Sequence, residues 1–287
     1  PVVSACVYHF QKLLFLPKDS PPQLVQGINQ SNHENMKRRL SILISIALGV
    51  SVISCDKAST EADAVTPTST ATVPAVFTDN FKTGVTLSSD GTHVTLKSNG
   101  TPDHLTPYWG VGNAKYEAQR SGYIVTPGAL QSQNFVMTIP VNPQAAATKE
   151  ATSLGPIGMA LNGVAIYNDR EGGNVPVEEG VALTFDRGGA HSGPGGLYHY
   201  HVDGDFTSKD DAKLIGYLRD GFPIYGRRDK DGTYPANLDA NGGHTGVTTE
   251  YAEGIYQYHA SNVNYLNLGI YVLKSGSYHG TKGTFTF

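Results

Sequence analysis

The sequence is poor in charge, poor in cysteine and without a clustered excess of positive charge. Charged residues occupy 16% of the 287 positions, against about 25% in an average globular protein. Lys and Arg number 21 and Asp and Glu 25, which argues against nucleic-acid binding, because that function normally needs a basic excess. Two cysteines are too few for a disulfide scaffold or for a zinc site built from thiolates.

The motifs of several common enzyme classes are also missing from the sequence. It contains no Gly-x-Ser-x-Gly nucleophile elbow, no Walker loop and no dinucleotide-binding fingerprint. Glycine (33 residues) and tyrosine (16 residues) are plentiful, whereas Trp109 is the single tryptophan. This composition is more typical of a turn-rich extracellular β protein than of a helical cytosolic enzyme.

An export signal is predicted near the start of the chain. Met36 opens a basic segment that ends at Arg39, and an uncharged, mostly apolar run follows from 40 to 53. A basic head before such a run is typical of a secretory signal, and the run is shorter than the ~20 residues that span a bilayer. We interpret residues 36–54 as a signal peptide, and residues 1–35 as upstream sequence translated from a wrongly assigned start codon.

The signal ends in Val-Ile-Ser-Cys55, which resembles the lipobox of bacterial lipoproteins. The resemblance implies cleavage before Cys55 and a lipid on its thiol; an ordinary signal peptide with a chance cysteine is the alternative. Residues 55–77, rich in Ala, Thr and Pro after the cysteine, are then the lipidated residue and a flexible tether. The expected location is the bacterial cell envelope, at the outer membrane or cell surface, with the lipid anchor as the membrane contact.

Short alternating runs predict a mainly β domain over residues 78–287. Residues 85–88 and 93–98 alternate on either side of Asp90-Gly91, which indicates a hairpin. Only 145–150 and 208–214 have the composition of short helices. We expect a single domain of short antiparallel strands, either a sandwich or barrel-like.

Three landmarks recur in the same order and predict an internal duplication. A Gly-x3-Asn/Asp-Gly-x2-Ile-Tyr sequence begins at Gly158 and again at Gly216. Each copy is followed by a glycine-containing loop that ends in histidine, and then by a strand-like segment rich in tyrosine and histidine. We place the two units at about 156–201 and 214–259 and expect an approximate two-fold relation between them.

The Tyr-His-Tyr-His sequence at 198–201 suggests a metal site. In a strand its two histidines share one face, with Cβ atoms about 6–7 Å apart, so both imidazoles can bind one ion. In the second unit Gln257 and His259 take these places. An approximate two-fold axis could bring the histidines of both units together. The predicted metal ligands are His191, His199, His201, His244 and His259.

Imidazole ligands suit several transition metals, so the predicted cofactor is copper or zinc, with iron less favoured. An open coordination position would make the site catalytic, and a closed one would make it a binding or storage site. The sequence leaves both open. Tyrosine hydroxyls and one aspartate are expected to orient the ligand rings. These residues are Tyr198, Tyr200, Tyr256, Tyr258 and Asp220.

Two further interpretations stay open. A cell-surface domain that recognises glycans or proteins would use the same four tyrosines as an exposed face, without metal. Alternatively, the repeated residues only pack the core. His104 and His279 are expected in loops, with His104 as a possible extra ligand, and the acidic candidates nearest the motif are Asp203 and Asp205. The sequence 229–232 begins like a calcium loop but is expected to be a turn, because the EF-hand spacing breaks after it.

These motifs together resemble the YHYH-domain family, named for the sequence at 198–201. Segments 98–104, 156–163, 220–226 and 258–260 carry the rest of the resemblance, which extends over roughly 90–287. It implies the domain limits and an exported location, and it supplies no substrate.

The chain departs from the family pattern at two places. The family often has a cysteine near its first Gly-Gly-His segment, and this chain has none between Gly188 and His191, which excludes a thiolate role there. Gln257 stands in place of a histidine, which weakens the case for a symmetric metal site.

Overall fold

The computed structural model describes residues 71–287, and strands supply most of the regular structure there. The predicted upstream segment, signal peptide and Cys55 lie outside the described residues. The mainly β prediction is confirmed, and the described strands form several sheets and no closed barrel. No helix in this part of the chain has the length and hydropathy needed to cross a membrane.

The regular elements are short, as expected for a glycine-rich chain. Two one-turn helices are α1 (Ala75–Thr78) and α2 (Glu179–Ala182), and two 3-10 turns cover Pro107–Trp109 and Pro194–Gly196. The strands are β1 (Val85–Ser89), β2 (His93–Ser98), β3 (Phe135–Pro140), β4 (Gly158–Ala160), β5 (Ala165–Ile166), β6 (Arg170–Glu171), β7 (Val175–Pro176), β8 (Ala190–Ser192), β9 (Tyr198–Tyr200), β10 (Leu214–Leu218), β11 (Pro223–Tyr225), β12 (Gly243–Gly246), β13 (Ile255–His259) and β14 (Thr284–Thr286).

The helices predicted at 145–150 and 208–214 are wrong. Ala145 forms a β-bridge with Gly280 instead. In the second segment the carboxylate of Asp203 accepts hydrogen bonds from the backbone N–H groups of 208, 209 and 210. These local side-chain contacts hold a turn, which competes with helix formation.

A four-stranded antiparallel sheet has the order β1-β2-β3-β14. Its first two strands form the predicted hairpin, in which the Asp90 carboxylate accepts hydrogen bonds from the N–H groups of Thr92 and His93. Alternate residues of β2 and β3, such as Leu96 and Met137, are fully buried. The period of two therefore gives this sheet one core face.

An eight-stranded sheet has the order β12-β13-β11-β10-β4-β5-β9-β8. Its central strands, β4 and β10, pair antiparallel. Outward from this pair, each half continues with one antiparallel, one parallel and one antiparallel pairing. The two halves thus have the same strand order and directions, which is the arrangement expected from an approximate two-fold axis. Whether the halves arose by duplication stays a prediction.

The two faces of the large sheet have separate cores. On one face, Met159 and Tyr217 of the central strands join a hydrophobic cluster with Leu96, Met137 and other residues of the four-stranded sheet. On the other face, the tyrosines of β9 and β13 pack in a separate hydrophobic core. The small sheet therefore packs on the middle of one face, in a sandwich-like arrangement.

The folded unit includes residues 71–77, which belong to the predicted tether. The backbone N–H of Ala71 donates to Ser89 O at 3.1 Å, and Phe77 is buried against Tyr217, with ring centroids 4.8 Å apart. Residues 71–77 thus belong to the domain, because an aromatic side chain in α1 completes its core.

A glycine at the central strand pair tests this architecture. A Cβ added to Gly216 would lie 2.2 Å from Met159 O, so Gly216→Ala must push β4 and β10 apart. We expect a loss of about 1–3 kcal/mol in the free energy of unfolding, measured by urea denaturation. The control is Gly84→Ala, where no heavy atom lies within 4 Å of the added Cβ. Equal stability of the two variants would contradict the close approach.

Candidate metal centre

Four side chains of the types that can bind a metal ion converge at one edge of the large sheet. His191 lies on β8, His199 on β9, His201 directly after β9, and Glu171 on β6. One ligand atom from each lies within 4.8 Å of the others. We call these four residues the first cluster. Their donor atoms come from three separate strands and the residue after one of them, so the fold and not local sequence assembles the set.

The donor atoms of the first cluster face one another. His191 Nε2 lies 3.2 Å from His199 Nε2 and 3.4 Å from Glu171 Oε1. His201 Nε2 lies 3.1 Å from the same carboxylate oxygen. The three histidines are buried and Glu171 is half-buried.

The opposite ring nitrogens fix the direction of the lone pairs. His199 Nδ1 is 2.9 Å from Leu197 O, and His201 Nδ1 is 2.6 Å from Asn168 O. His191 Nδ1 is 2.7 Å from the hydroxyl oxygen of Thr184, whose proton is donated to Val181 O. Since these partners accept, each neutral ring carries its proton on Nδ1 and directs a lone pair from Nε2 toward the cluster centre.

Burial favours the neutral form of the His191 and His199 rings. It lowers the pKa of His191 and lowers that of His199 well below the usual range. Glu171 Oε1 and His201 Nε2 are fully buried and have no hydrogen-bond partner among the described residues. Buried polar atoms without partners are costly. These two atoms lie 3.1 Å from each other, so a proton or a cation between them would satisfy both.

The first cluster borders an open cleft of about 670 Å³. His191, His199 and Glu171 lie in its wall, beside mainly apolar or glycine positions that include Leu154, Val181 and Leu197. Tyr167 also lines the cleft, with its ring centroid 4.0 Å from that of His199. Burial and the nearby Glu171 raise the pKa of Tyr167 to about 12, so the phenol remains a proton donor at neutral pH.

A second cluster forms at the opposite edge of the sheet from Asp229, His244 and His259. His244 Nε2 lies 3.0 Å from Asp229 Oδ1 and 3.2 Å from His259 Nε2. Gln257 Nε2 lies 3.2 Å from His244 Nε2. These four residues, Gln257 included, are the second cluster, and three of them line a separate cleft of about 560 Å³.

The five predicted ligands therefore divide between two clusters and do not form one site. The three histidines of the first unit are in one cluster, and His244 and His259 are in the other. The reason is the strand order: β9 and β13 are five strand spacings apart, roughly 24 Å at the usual 4.8 Å spacing. The two-fold relation separates the histidines of the two units.

The carboxylates of both clusters were missed at the sequence level. Glu171 and Asp229 each lie four residues after the Ile-Tyr pair of the repeated motif. This equivalent position is a sequence signal that marks them as candidates, although it does not show that they reach the histidines. Asp229 also forms the expected turn, because its backbone N–H donates to Thr233 O. Asp203 and Asp205 instead bind Ser208 and Arg187.

The tyrosines and Asp220 do not orient the ligand rings, contrary to expectation. They lie on the opposite sheet face, where Tyr198 donates to Asp186 at 2.6 Å and Tyr258 donates to Asp220. Tyr200 contacts Asn162, and Tyr256 donates to Asp239. Backbone carbonyls and Thr184 orient the first cluster instead.

The buried tyrosines still act on the site indirectly. The Asp186 carboxylate accepts a hydrogen bond from the Tyr198 hydroxyl. It also accepts hydrogen bonds from the N–H groups of Gly188 and Ala190, so it holds the loop that leads to His191. Burial raises the pKa of Asp186. Tyr198, Tyr200, Tyr256 and Tyr258 are at most 8% exposed, so they do not form the open face that the glycan-binding interpretation requires.

Two further histidines lie outside both clusters. His104 Nε2 is 2.7 Å from the Tyr200 hydroxyl, and its ring stacks on Phe206. The ring of His279 stacks on Tyr256 with centroids 3.5 Å apart. Both pack against the tyrosine face, so His104 is not an additional ligand.

The fold and site define a mainly β protein with histidine–carboxylate clusters at two sheet edges. Residues 136–235 match the family model described as YHYH protein, so the chain contains a YHYH domain. This match confirms the resemblance seen in the sequence, and it covers the first cluster but ends before His244. No curated protein and no solved structure shows significant similarity to the chain.

The ring orientation can be tested by NMR. We expect His191 and His199 of the metal-free protein to be neutral at pH 7, because burial lowers both pKa values below the usual range. Their proton should be on Nδ1, where the hydrogen-bond partners accept. Imidazole ¹⁵N shifts report the tautomer directly, and His199→Gln assigns the signals. A protonated Nε2 on either ring would contradict the proposed direction of the lone pairs.

Proposed function

We propose that the first cluster binds one transition-metal ion, with copper or zinc favoured and iron next. The supporting observation is the convergence of four lone-pair donors, three of which are imidazoles whose other ring nitrogen is already engaged. Neutral imidazole nitrogens 3.2 Å apart repel each other unless a cation or proton lies between them. Three imidazoles and one carboxylate form a ligand set known for zinc, copper and iron.

The charge balance also supports a cation. Glu171 brings a negative charge into a half-buried position, and no lysine or arginine pairs with it among the described residues. A partly buried carboxylate is stabilised by a compensating positive charge. A divalent ion would provide it, and would also satisfy the two buried atoms that have no hydrogen-bond partner.

The adjoining cleft favours an enzyme over a storage protein. A storage site has no need of a cavity of about 670 Å³ beside the ligands, whereas a catalytic site needs an open position. A bound metal ion would supply Lewis-acid or redox chemistry. The apolar lining would bind a small, largely apolar substrate and exclude water, and the Tyr167 hydroxyl would donate a hydrogen bond to it.

Metal analysis of the untagged full-length chain tests the first cluster. We expect the variant Glu171→Gln/His199→Gln to lose one equivalent of metal relative to the wild type, measured by inductively coupled plasma mass spectrometry after loading and dialysis. The control is His93→Ala, an exposed histidine outside both clusters, which should keep the wild-type content. Circular dichroism verifies folding. Unchanged metal content in the folded double variant would refute the proposal.

We also propose that the protein is exported and anchored to the cell envelope through Cys55, with the sequence at 36–55 as support. In a bacterial host fed labelled palmitate, the full chain should incorporate label and Cys55→Ala should not. Cys6→Ala is the matched control, since it removes the other cysteine and should leave labelling unchanged. Label retained by the Cys55 variant would contradict lipidation at this residue.

A further inference from the structure

The second cluster repeats the geometry of the first at the other edge of the sheet. His259 Nδ1 is 2.8 Å from Gly226 O, just as His201 Nδ1 contacts Asn168 O. Both carbonyls belong to the residue after the Ile-Tyr pair. The second cluster thus has the same type of backbone contact, in which a carbonyl bonded to Nδ1 leaves the histidine Nε2 facing the cluster centre.

The lone pairs of the second cluster also converge. His244 Nδ1 is 2.9 Å from Asn237 Oδ1, so the neutral ring carries its proton there and presents Nε2 to the cluster. That nitrogen faces His259 Nε2 at 3.2 Å, and Asp229 Oδ1 lies 3.0 Å from His244 Nε2 and 3.4 Å from His259 Nε2. Three lone-pair donors meet, one of them a carboxylate.

Gln257 makes the second cluster different from the first. It occupies the strand position that corresponds to His199, and its amide nitrogen donates toward His244 Nε2. In this orientation the amide directs an N–H, which is not a metal ligand, toward the cluster, so the ligand set is two imidazoles and one carboxylate. This set leaves more coordination positions open and matches divalent first-row metals such as Fe²⁺ or Zn²⁺.

We propose that Asp229, His244 and His259 form a second, independent and weaker site for a divalent transition-metal ion. The weakness follows from the loss of one imidazole ligand and from the hydrogen bond that Gln257 must give up when an ion binds. The cleft beside it contains Lys230 and Asp231, so the open positions face a polar surface, unlike the apolar cleft of the first cluster.

Zn²⁺ titration of the full chain by isothermal calorimetry tests this proposal. We expect two classes of site in the wild type. The variant Asp229→Asn/His244→Gln should lose only the weaker class, and Glu171→Gln/His199→Gln should lose only the tighter one. Gln257→His restores the third imidazole and should tighten the weaker class by roughly tenfold or more, about 1.4 kcal/mol.

The outcomes separate this proposal from the proposed function. A wild type with a single class, lost only in the Glu171 variant, would overturn the second site and leave the first intact. A single class lost only in the Asp229 variant would support the second site and refute the first. An unchanged weaker class in both Gln257→His and the folded Asp229 variant would also overturn the proposal.

Discussion

The alternation of side chains along β9 and β13 determines where the tyrosine core and the two histidine–carboxylate clusters lie. Each strand directs its tyrosines into one core, where their hydroxyls bond to buried aspartates such as Asp186 and Asp220. The histidines then have to face the other side. A shift of one residue in register would exchange the two sets and place imidazoles in the core that the tyrosine rings fill. The core and the clusters are therefore two results of one strand geometry.

The small sheet determines where clefts remain open on the sheet face that carries the histidines. It packs on the central strands through residues such as Leu96 and Met137, and the clefts lie beside the outer strands. Each half of the large sheet then forms its own cluster with its own carboxylate. The distance between the clusters follows from the number of strands between them, and not from loop conformation.

Much of the fold could be predicted from the sequence, because period-two patterns and repeated motifs are local features. The β1–β2 hairpin and the common face of His199 and His201 follow from spacing, and the similarity of the two units follows from the repeated motifs. The separation of His244 from His191 did not, since it depends on strand order, which pairwise alternation does not encode. Glu171 lies on a two-residue strand outside the large sheet, and only tertiary packing reveals that it reaches the histidines. The one-turn helix at 75–78 was missed because a single buried side chain, Phe77, stabilises it.

Both clusters involve the outermost strands of the large sheet, β8 and β12. An outermost strand has unpaired backbone groups and is the place where sheets fray or add a foreign strand. His191 and His244 belong to these strands, and their cluster partners lie on neighbouring segments. An ion bound by either cluster would therefore link an outermost strand to the neighbouring segments. The metal-bound protein would then resist proteolysis and self-association better than the metal-free protein.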